Sequence, residues 1–567
     1  MKINLKLLVT LPALVLCSAM VTSVDEITEL GMKHLKPLSS ISVPTDAKDL
    51  CPVTAAEFNQ IFETGTVTLD GLVKPANSVT FPDIPNCSFY KWTEQMFLWA
   101  TSKSSSRYGG GSRIFDSPKF FEVSPPASDG SRSFIRHVPG TLIDFHVRTA
   151  QKGPNKLPVV VQKGTGKLFE IAPQKISLNN MLQLKTIKDG DILELNNIRK
   201  LDVVGKKLIL TNTLTNNKTF VRPLPTPQKL NSSILNKFTV NNVNRFFDVN
   251  GNEIVVETGQ AGDGEALEAQ NGSLIYYITL VNEVYAYQRT MLGASVPNNT
   301  SFPTTQAQLD AILAFATSKG VTVTDPEALA IELKSSWIEA DGLPDLNTYI
   351  TMDATIPTYD KTNPANWVVN GKKTVKLAMV GMHVVGSTKG HPEMIWGTFE
   401  HLANTPNTAY SYVNSSNATI NVPQSTAGNW LFCSNNSAGP FNEAHMANVS
   451  NNIQASPPFL TVSPSNTLRT MPWGMPGNSA NSNTQVIAMN NNTQSRLIDG
   501  DVRKNYIQTG STWTIFGAAP NGSNQVGTNK LANSTMETYQ IGSNCFSCHV
   551  TNKVNVSHVF TDLKPLQ

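Results

Sequence analysis

The chain has 567 residues, of which 40% are hydrophobic and 15% are charged, a balance typical of a globular protein with a large core. Its length suggests about two to four domains. Lysine and arginine number 45 and aspartate and glutamate 42, which gives a formal net charge of +3. So small an excess argues against nucleic-acid binding through bulk charge, and we expect no nucleic-acid partner.

Residues 1–23 are typical of a cleaved export signal. Two lysines precede an apolar run from Leu7 to Leu16, which is too short to cross a bilayer as a stable helix. Lipidation of Cys17 is less favoured, because a bulky leucine precedes that cysteine. No later apolar run approaches membrane-spanning length. We therefore expect a periplasmic or otherwise exported protein with no transmembrane segment in the mature chain.

Three cysteines, Cys51, Cys87 and Cys433, lie between the signal and the C-terminal segment. An oxidising compartment permits one disulfide among them and leaves one thiol over. We expect the pair Cys51–Cys87, since both lie in the first segment, although nothing in the sequence fixes the pairing.

The first part of the mature chain predicts an extended lead-in over 24–50, followed by two helices. Thr54 and Glu57 form a capping-box pattern that opens a short helix ending before Gly65. A second helix is predicted over 88–101, because large apolar side chains recur there with a helical period. These side chains are expected in the core: Phe89, Trp92, Met96 and Trp99.

Residues 156–260 predict a β-rich region, because short apolar runs alternate with Gly, Asn and Asp turns. The runs are Val159–Val161, Lys167–Ile171, Asp191–Leu195 and Lys207–Thr211. Asn250-Gly251, which stands between two further apolar runs, predicts a hairpin turn.

Helical patterns return after this region. We predict one helix over Leu274 to Leu292 and another over Gln306 to Lys319. A third is predicted to begin with Asp325 as N-cap and Pro326 as its first residue. The buried stripe of this third helix would consist of Leu329, Leu333 and Trp337.

The run from Lys376 to Val385 is almost continuously apolar and predicts a strand buried on both faces. From about residue 404 to 534 the chain is rich in Asn, Ser, Thr, Pro and Gly, with apolar islands at 430–432 and 513–516. We expect loops and short strands wrapped on a scaffold there, because the apolar islands argue against disorder.

The last segment contains the motif Cys545-Phe546-Ser547-Cys548-His549. This spacing is the covalent attachment signature of a c-type haem, in which two thiols reach two vinyl groups of one porphyrin and the histidine is carried under the iron. A zinc ribbon would need a second cysteine pair, and a thioredoxin-like site a preceding βαβ pattern. A simple disulfide leaves His549 unexplained. We therefore expect one covalent haem c on Cys545 and Cys548, with His549 as the proximal iron ligand.

These patterns predict an α+β fold: a mixed, β-rich, multi-segment body with several short helices and a C-terminal haem-attachment tail. Five segments are expected. They are a signal peptide (1–23), an N-terminal mixed α/β segment (24–150), a β-rich subdomain or insertion (151–262), a main α+β body with Asn- and Ser-rich loops (263–535) and a C-terminal haem-attachment segment (536–567).

The second iron ligand is expected outside the motif, because few residues follow His549 and the residues before the motif lack a helical period. The haem should therefore lie against the upstream body. The candidate ligands are His383, His391 and His401 upstream, and Met536 and His558 on either side of the motif. An open sixth position would favour small-ligand binding or peroxide chemistry.

Several stretches resemble a family of large exported bacterial proteins that end in a Cys-x-x-Cys-His motif and are described as cytochrome c family. The stretches are ETGQAG at 257–262, NGSLIYY at 271–277, NEVYAY at 282–287, ELKSSW at 332–337, GMH at 381–383 and His391 to His401 with Asn404, with a weaker likeness in WTEQMFLW at 92–99. The resemblance implies one haem, export and a role loosely assigned to electron transfer, with no established reaction. It also implies that the Gly-x-His strand is kept more regularly than the other two histidines, which makes His383 the first candidate for the distal ligand. Residues 150–250 fall outside the resemblance.

The leading functional hypothesis is a monohaem electron-transfer protein with an unidentified redox partner protein, because no other catalytic motif was recognised. The alternative is a haem-dependent oxidoreductase, either peroxidase-like or oxygen-activating. Glu393 or Glu400 beside a histidine would then handle protons if they faced the iron. A third hypothesis is a haem-based ligand sensor. The sequence does not decide whether the protein is an enzyme.

Overall fold

The computed structural model describes the body of the chain and its C-terminal segment. The described residues are 32–84, 87–125, 127, 131–139, 265–293, 296–297, 300–449, 451–456, 459–474, 479–521, 523–528, 530–539, 545–549 and 554–567, together with strands and one tight turn between 143 and 257. The predicted signal (1–23) and the run predicted over Asp191–Leu195 lie outside the described residues.

The helices are short. They are α1 (Ala55–Gln60), α2 (Ser88–Ala100), α3 (Glu283–Met291), α4 (Gln306–Ser318), α5 (Ala480–Gln494) and α6 (Cys545–Cys548).

The strands are more numerous than the helices in the described chain. In order they are β1 (Phe120–Val123), β2 (Phe134–Arg136), β3 (Ile143–Asp144), β4 (Val159–Gln162), β5 (Leu168–Ile171), β6 (Leu184–Thr186), β7 (Lys200–Val204), β8 (Lys207–Thr211), β9 (Lys218–Pro223), β10 (Ile234–Val240), β11 (Val243–Phe247), β12 (Glu253–Ile254), β13 (Val256–Glu257), β14 (Glu265–Ala266), β15 (Tyr276–Asn282), β16 (Ile331–Glu339), β17 (Thr351–Asp360), β18 (Asn366–Thr388), β19 (His391–His401), β20 (Tyr410–Val413), β21 (Thr419–Val422), β22 (Met446–Val449), β23 (Asn452–Ala455), β24 (Tyr506–Thr514) and β25 (Gln525–Gly527). The protein is therefore a β-rich α+β fold with mostly antiparallel sheets, as predicted.

A large sheet of thirteen strands forms the centre of the fold. Its main path runs β14-β22-β23-β18-β16-β15-β1-β2, and β19 and β24 continue from the other edge of β18. The 23-residue strand β18 pairs with β16, β17, β19 and β23, so it is the strand that joins the parts of the sheet. Strands between 159 and 257 form two separate sheets of six and four strands.

The two faces of the large sheet bury different partners. Helix α2 covers one face, where Phe97 stacks on Phe399 of β19 with ring centroids 4.0 Å apart. The opposite face buries α3 and the C-terminal residues 554–567, with Tyr285 and Phe560 in edge-to-face contact at 5.3 Å. Each strand alternates its side chains between these two apolar layers, which explains why the central strands read as continuous apolar runs.

Several predicted elements are confirmed. Thr54 and Glu57 close the capping box of α1, and α2 carries its four predicted core residues at 2% exposure or less. The predicted helix over Gln306 to Lys319 corresponds to α4, and the buried strand over Lys376 to Val385 is part of β18. Asn250-Gly251 turns between the antiparallel strands β11 and β12. Described residues 32–50 contain no helix or strand, as expected for an extended lead-in.

Two predicted helices are wrong. The run from Leu274 to Leu292 is strand β15 followed by α3, because its β-branched and aromatic first half suits a strand and Asn282 caps the helix by accepting from the Tyr285 N–H at 3.1 Å. The helix predicted from Asp325 is a single 3₁₀ turn, Pro326–Ala328, followed by strand β16. Leu333 and Trp337 do share a buried face, because a spacing of four also satisfies the two-residue period of a strand.

The region from 404 to 534 was predicted as loops and short strands, and this is wrong in two places. It contains the 15-residue helix α5 and the nine-residue strand β24. The apolar island at 430–432 is buried, whereas Phe516 in the other island is 93% exposed.

The predicted disulfide is confirmed, since Cys51 and Cys87 are bonded and Cys433 is buried elsewhere. Within the described residues, none of the helices combines the length and the apolar character needed to cross a membrane.

Candidate functional site

The motif Cys545–His549 includes the one-turn helix α6, which lies on the sheet face opposite α2. Phe546 is fully buried there, and its N–H donates to Gln525 Oε1 at 3.2 Å. Cys545 is half-buried, with its Sγ 3.5 Å from the Leu531 carbonyl oxygen. The side chain of Cys548 lies outside the described part of the chain.

His549 is fixed by a backbone carbonyl. Its Nδ1 lies 2.7 Å from the Val556 carbonyl oxygen, which can only accept, so Nδ1 carries the proton. Burial lowers the pKa of His549 to about 4, so the ring is neutral at physiological pH. A neutral imidazole that donates from Nδ1 presents the Nε2 lone pair, which is the usual arrangement of a metal-binding histidine.

The Val556 carbonyl is itself held by the sheet. The Val556 N–H donates to the Glu393 carbonyl oxygen at 3.0 Å, and the next residue, Ser557, donates its hydroxyl to Glu332 Oε2 at 2.7 Å. Tyr285 of α3 lies 2.8 Å from the Ser557 hydroxyl. The segment that orients His549 is thus bonded to β16, β19 and α3.

Trp396 of β19 contacts the rings of both His549 and His383. Its ring centroid is 4.3 Å from that of His549 and 4.9 Å from that of His383. The register of the sheet explains this contact: Trp396 lies opposite Val385, and His383 lies opposite Thr398, so Trp396 and His383 share one face of β18 and β19.

His383 is 1% exposed and has two different nitrogen environments. Its Nε2 lies 2.9 Å from Glu537 Oε1, an oxygen that accepts. Its Nδ1 is buried and makes no hydrogen bond within the described residues. When Nε2 carries the proton, Nδ1 of a neutral imidazole has a lone pair that can accept a hydrogen bond or bind a metal.

Glu537 is the acidic residue of this site. Its second oxygen accepts from the Asn533 N–H at 2.9 Å. Burial alone would raise the pKa of Glu537, but His383, Lys334 and the Asn533 N–H together hold it below its usual value. The residue therefore remains a carboxylate beside His383.

His558 lies against the other side of His549. The two imidazole rings are nearly parallel, with an interplanar angle of 7° and centroids 3.8 Å apart, and His558 is exposed to solvent. His558 therefore lies over the face of the His549 ring, and not in front of its Nε2.

The other candidate ligands have different surroundings. His391 and His401 are on the α2 side of the sheet, where His391 contacts Phe89 and His401 stacks on Tyr349 at 3.8 Å. Burial lowers the pKa of His401 to about 3. Met536 is 1% exposed and packs in an apolar cluster with residues of β15 and β18.

The acids singled out in the sequence have other partners. Glu400 forms a fully buried ion pair with Arg469 at 2.9 Å, and Glu393 Oε1 lies 2.9 Å from His391 Nδ1. The acid beside His383 is Glu537, which lies 154 positions away in the chain. The only feature of the sequence that points to Glu537 is its position shortly before the motif. That position does not reveal that Glu537 contacts His383.

Comparison with known proteins does not place this chain in a family: no protein-family model, curated protein or solved structure matches it.

Proposed function

We propose that the protein is an exported monohaem c-type cytochrome that transfers electrons in the periplasm to or from a redox partner protein. One haem c would be joined to Cys545 and Cys548, and His549 would hold the iron through Nε2. The bound haem would supply one-electron iron chemistry. The observation that carries the proposal is the hydrogen bond from His549 Nδ1 to the Val556 carbonyl, which leaves Nε2 of a neutral ring available.

The residues around the motif fit this group. A buried nitrogen without a hydrogen bond, Nδ1 of His383, lies on the same sheet face as His549, and Trp396 contacts both rings. We therefore propose His383 as the distal ligand. Neither of the other upstream histidines lies on this face, and Met536 is packed in a different apolar cluster.

Export is supported by two separate features. The sequence of 1–23 is typical of a cleaved signal, and the disulfide between Cys51 and Cys87 suits an oxidising compartment. Attachment of haem to a Cys-x-x-Cys-His motif in bacteria also takes place outside the cytoplasm.

Absorption spectra of the exported protein test the proposal. We expect covalently bound haem with a six-coordinate, low-spin spectrum that carbon monoxide does not change, and loss of the haem in the C545A/C548A variant. His383→Ala should convert the spectrum to high-spin, because it removes the distal nitrogen. Absence of bound haem in the unaltered protein would refute the central claim, and a low-spin spectrum in His383→Ala would refute the distal assignment alone.

A haem-dependent oxidoreductase is the second candidate, favoured by the buried pair of His383 and Glu537. A histidine backed by a carboxylate can accept a proton at its free nitrogen, here Nδ1, when it does not hold the iron. In that case the unaltered protein would bind carbon monoxide and turn over peroxide, and His383→Ala would slow turnover while leaving the haem attached.

A further inference from the structure

Glu537 holds His383 in one orientation. It accepts from Nε2 at 2.9 Å with one oxygen, while its other oxygen is occupied by the Asn533 N–H. Both side chains are at least nine-tenths buried, so water does not compete for this hydrogen bond. The carboxylate therefore selects the tautomer that carries its proton on Nε2.

The same contact determines which nitrogen of His383 can bind another group. Nε2 is committed to Glu537, and Nδ1 is buried without a hydrogen bond in the described chain. With the proton on Nε2, Nδ1 carries the lone pair. His549 is the reverse case, since its Nδ1 is occupied by a carbonyl and its Nε2 carries the lone pair.

We propose that Glu537 is a positioning residue that makes His383 present Nδ1, and not Nε2, to the haem iron. The inference rests on the proposed function and deepens it, because it specifies the nitrogen and the group behind it. A carboxylate acceptor also makes the ligand more electron-rich, which favours the oxidised iron and lowers the reduction potential.

Neighbouring residues keep the carboxylate in place. Lys334 lies opposite His383 on β16 and contributes a positive charge near Glu537. Asn533 is anchored to the sheet, since its side-chain amide donates to Thr398 Oγ1 at 2.9 Å and to the Phe399 carbonyl oxygen at 3.1 Å. Glu537 is thus held through His383 on β18 and, by way of Asn533, through β19, with the charge of Lys334 on β16 nearby.

The first test is the reduction potential and spectrum of holoprotein carrying Glu537→Gln. The amide oxygen can still accept from Nε2, so we expect a low-spin spectrum with a higher potential than that of the unaltered protein. Glu537→Leu removes the acceptor and should give a mixture of low-spin and high-spin haem. Asp116→Asn is the matched control, because Asp116 accepts from His137 Nε2 at 2.7 Å in another buried pair that does not contact the motif. An unchanged potential in Glu537→Gln, or an equal change in Asp116→Asn, would overturn the inference.

The second test addresses the nitrogen directly. Histidine methylated on Nδ1, introduced at position 383 by an expanded genetic code, should abolish the low-spin spectrum while the haem remains covalently attached. Retention of the low-spin spectrum would show that Nε2 or another residue binds the iron and would overturn the inference.

These outcomes separate the inference from the function on which it rests. Absence of covalent haem in the unaltered protein refutes both. Bound haem that is low-spin in the unaltered protein and high-spin in His383→Ala, combined with no effect of Glu537→Gln on the potential, refutes only the role of Glu537.

Discussion

At the level of single residues, buried ionisable side chains are accommodated in two ways: as a charged group paired with opposite charges, or as a neutral group. Burial lowers the pKa of His137, but the stronger contrary effect of Asp116 and Glu122 raises it to about 9, so that this side chain is buried as a cation between two acids. For Glu94 on α2, no neighbouring charge in the described chain offsets the effect of burial on its pKa. Burial raises its pKa to about 8, against a smaller opposing effect of Thr493 on α5. Glu94 is therefore protonated and neutral at physiological pH.

We predict that Glu94→Gln abolishes one component of the pH dependence of stability. Between about pH 5 and 8 the folded chain keeps the proton of Glu94 while the unfolded chain releases it, so the free energy of unfolding should fall with rising pH by up to about 1.4 kcal/mol per unit. The fall should end above the folded pKa of about 8. Denaturant unfolding across this range should show a flatter curve for the variant. Parallel curves for the two proteins would contradict the assignment of a raised pKa.

At the level of secondary-structure elements, α2 and the sheet approach each other through glycines. Gly397 of β19 faces Thr93 of α2, and a Cβ at position 397 would overlap the Thr93 methyl group. Gly386 of β18 similarly faces Trp92, where an added Cβ would lie 2.9 Å from the indole. There is therefore no room for a side chain at position 386 of β18 or at position 397 of β19. The two glycines allow α2 to pack at this short distance from the sheet.

Gly397→Ala is predicted to destabilise the protein by about 1–3 kcal/mol, because it overpacks a contact between two backbone elements. Thr93→Ala removes the overlapping methyl group, so the double variant should lose less stability than the sum of the single variants. Gly371→Ala on an exposed part of β18 is the control, where the nearest atom to an added Cβ is Thr358 Oγ1 at 3.2 Å. Chemical denaturation of the four variants measures the effect, and strict additivity would show that the two positions do not interact.

Signals that depend on a few neighbouring residues, such as capping boxes, predicted the secondary-structure elements well. Helices α1 and α4 begin at capping boxes, in which Thr54 and Thr305 accept from the third following residue. Helix α5 escaped prediction because its buried side chains include Asn483, Asn490 and Asn492, which bond to backbone carbonyl groups in place of apolar packing. Such a helix has no apolar stripe to detect.

The candidate site was predictable in part. The Cys-x-x-Cys-His motif is visible because its five residues are contiguous, and His383 was a candidate because it stands in a histidine-rich stretch and in the Gly-x-His strand of the resemblance. Glu537 was not predictable, because its contact with His383 exists only after β18 and the C-terminal segment meet. Similarly, the Val556 carbonyl that orients His549 has no side-chain signature in the sequence.

At the level of the whole molecule, the lead-in is tied to the body by covalent and polar contacts. The disulfide joins Cys51, which directly follows the lead-in, to Cys87 at the start of α2, across a sequence separation of 36. Asn492 of α5 donates to the Cys51 carbonyl oxygen at 3.2 Å, so α5 packs on the same junction.

We predict that the C51A/C87A variant is less stable by about 3–4 kcal/mol, because the crosslink restricts the unfolded chain across a loop of this length. Reductant should lower the stability of the unaltered protein by a similar amount and leave the double variant unchanged. Cys433→Ala serves as the control: burial raises the pKa of this thiol to about 11, and the variant should retain its sensitivity to reductant. Equal unfolding curves with and without reductant in the unaltered protein would contradict the prediction.

On the proposed function, the packing of Phe546 and of the C-terminal segment constrains the order in which the protein could be matured. Phe546, in the middle of the motif, is fully buried, and residues 554–567 dock on the sheet through Phe560 and Leu563. A haem-attachment enzyme would have to reach both thiols, and Cys545 is already partly buried against the apolar cluster that contains this docked segment. On the proposed function, the thioether bonds would therefore form while this segment is still undocked, and its docking would be the step that closes maturation.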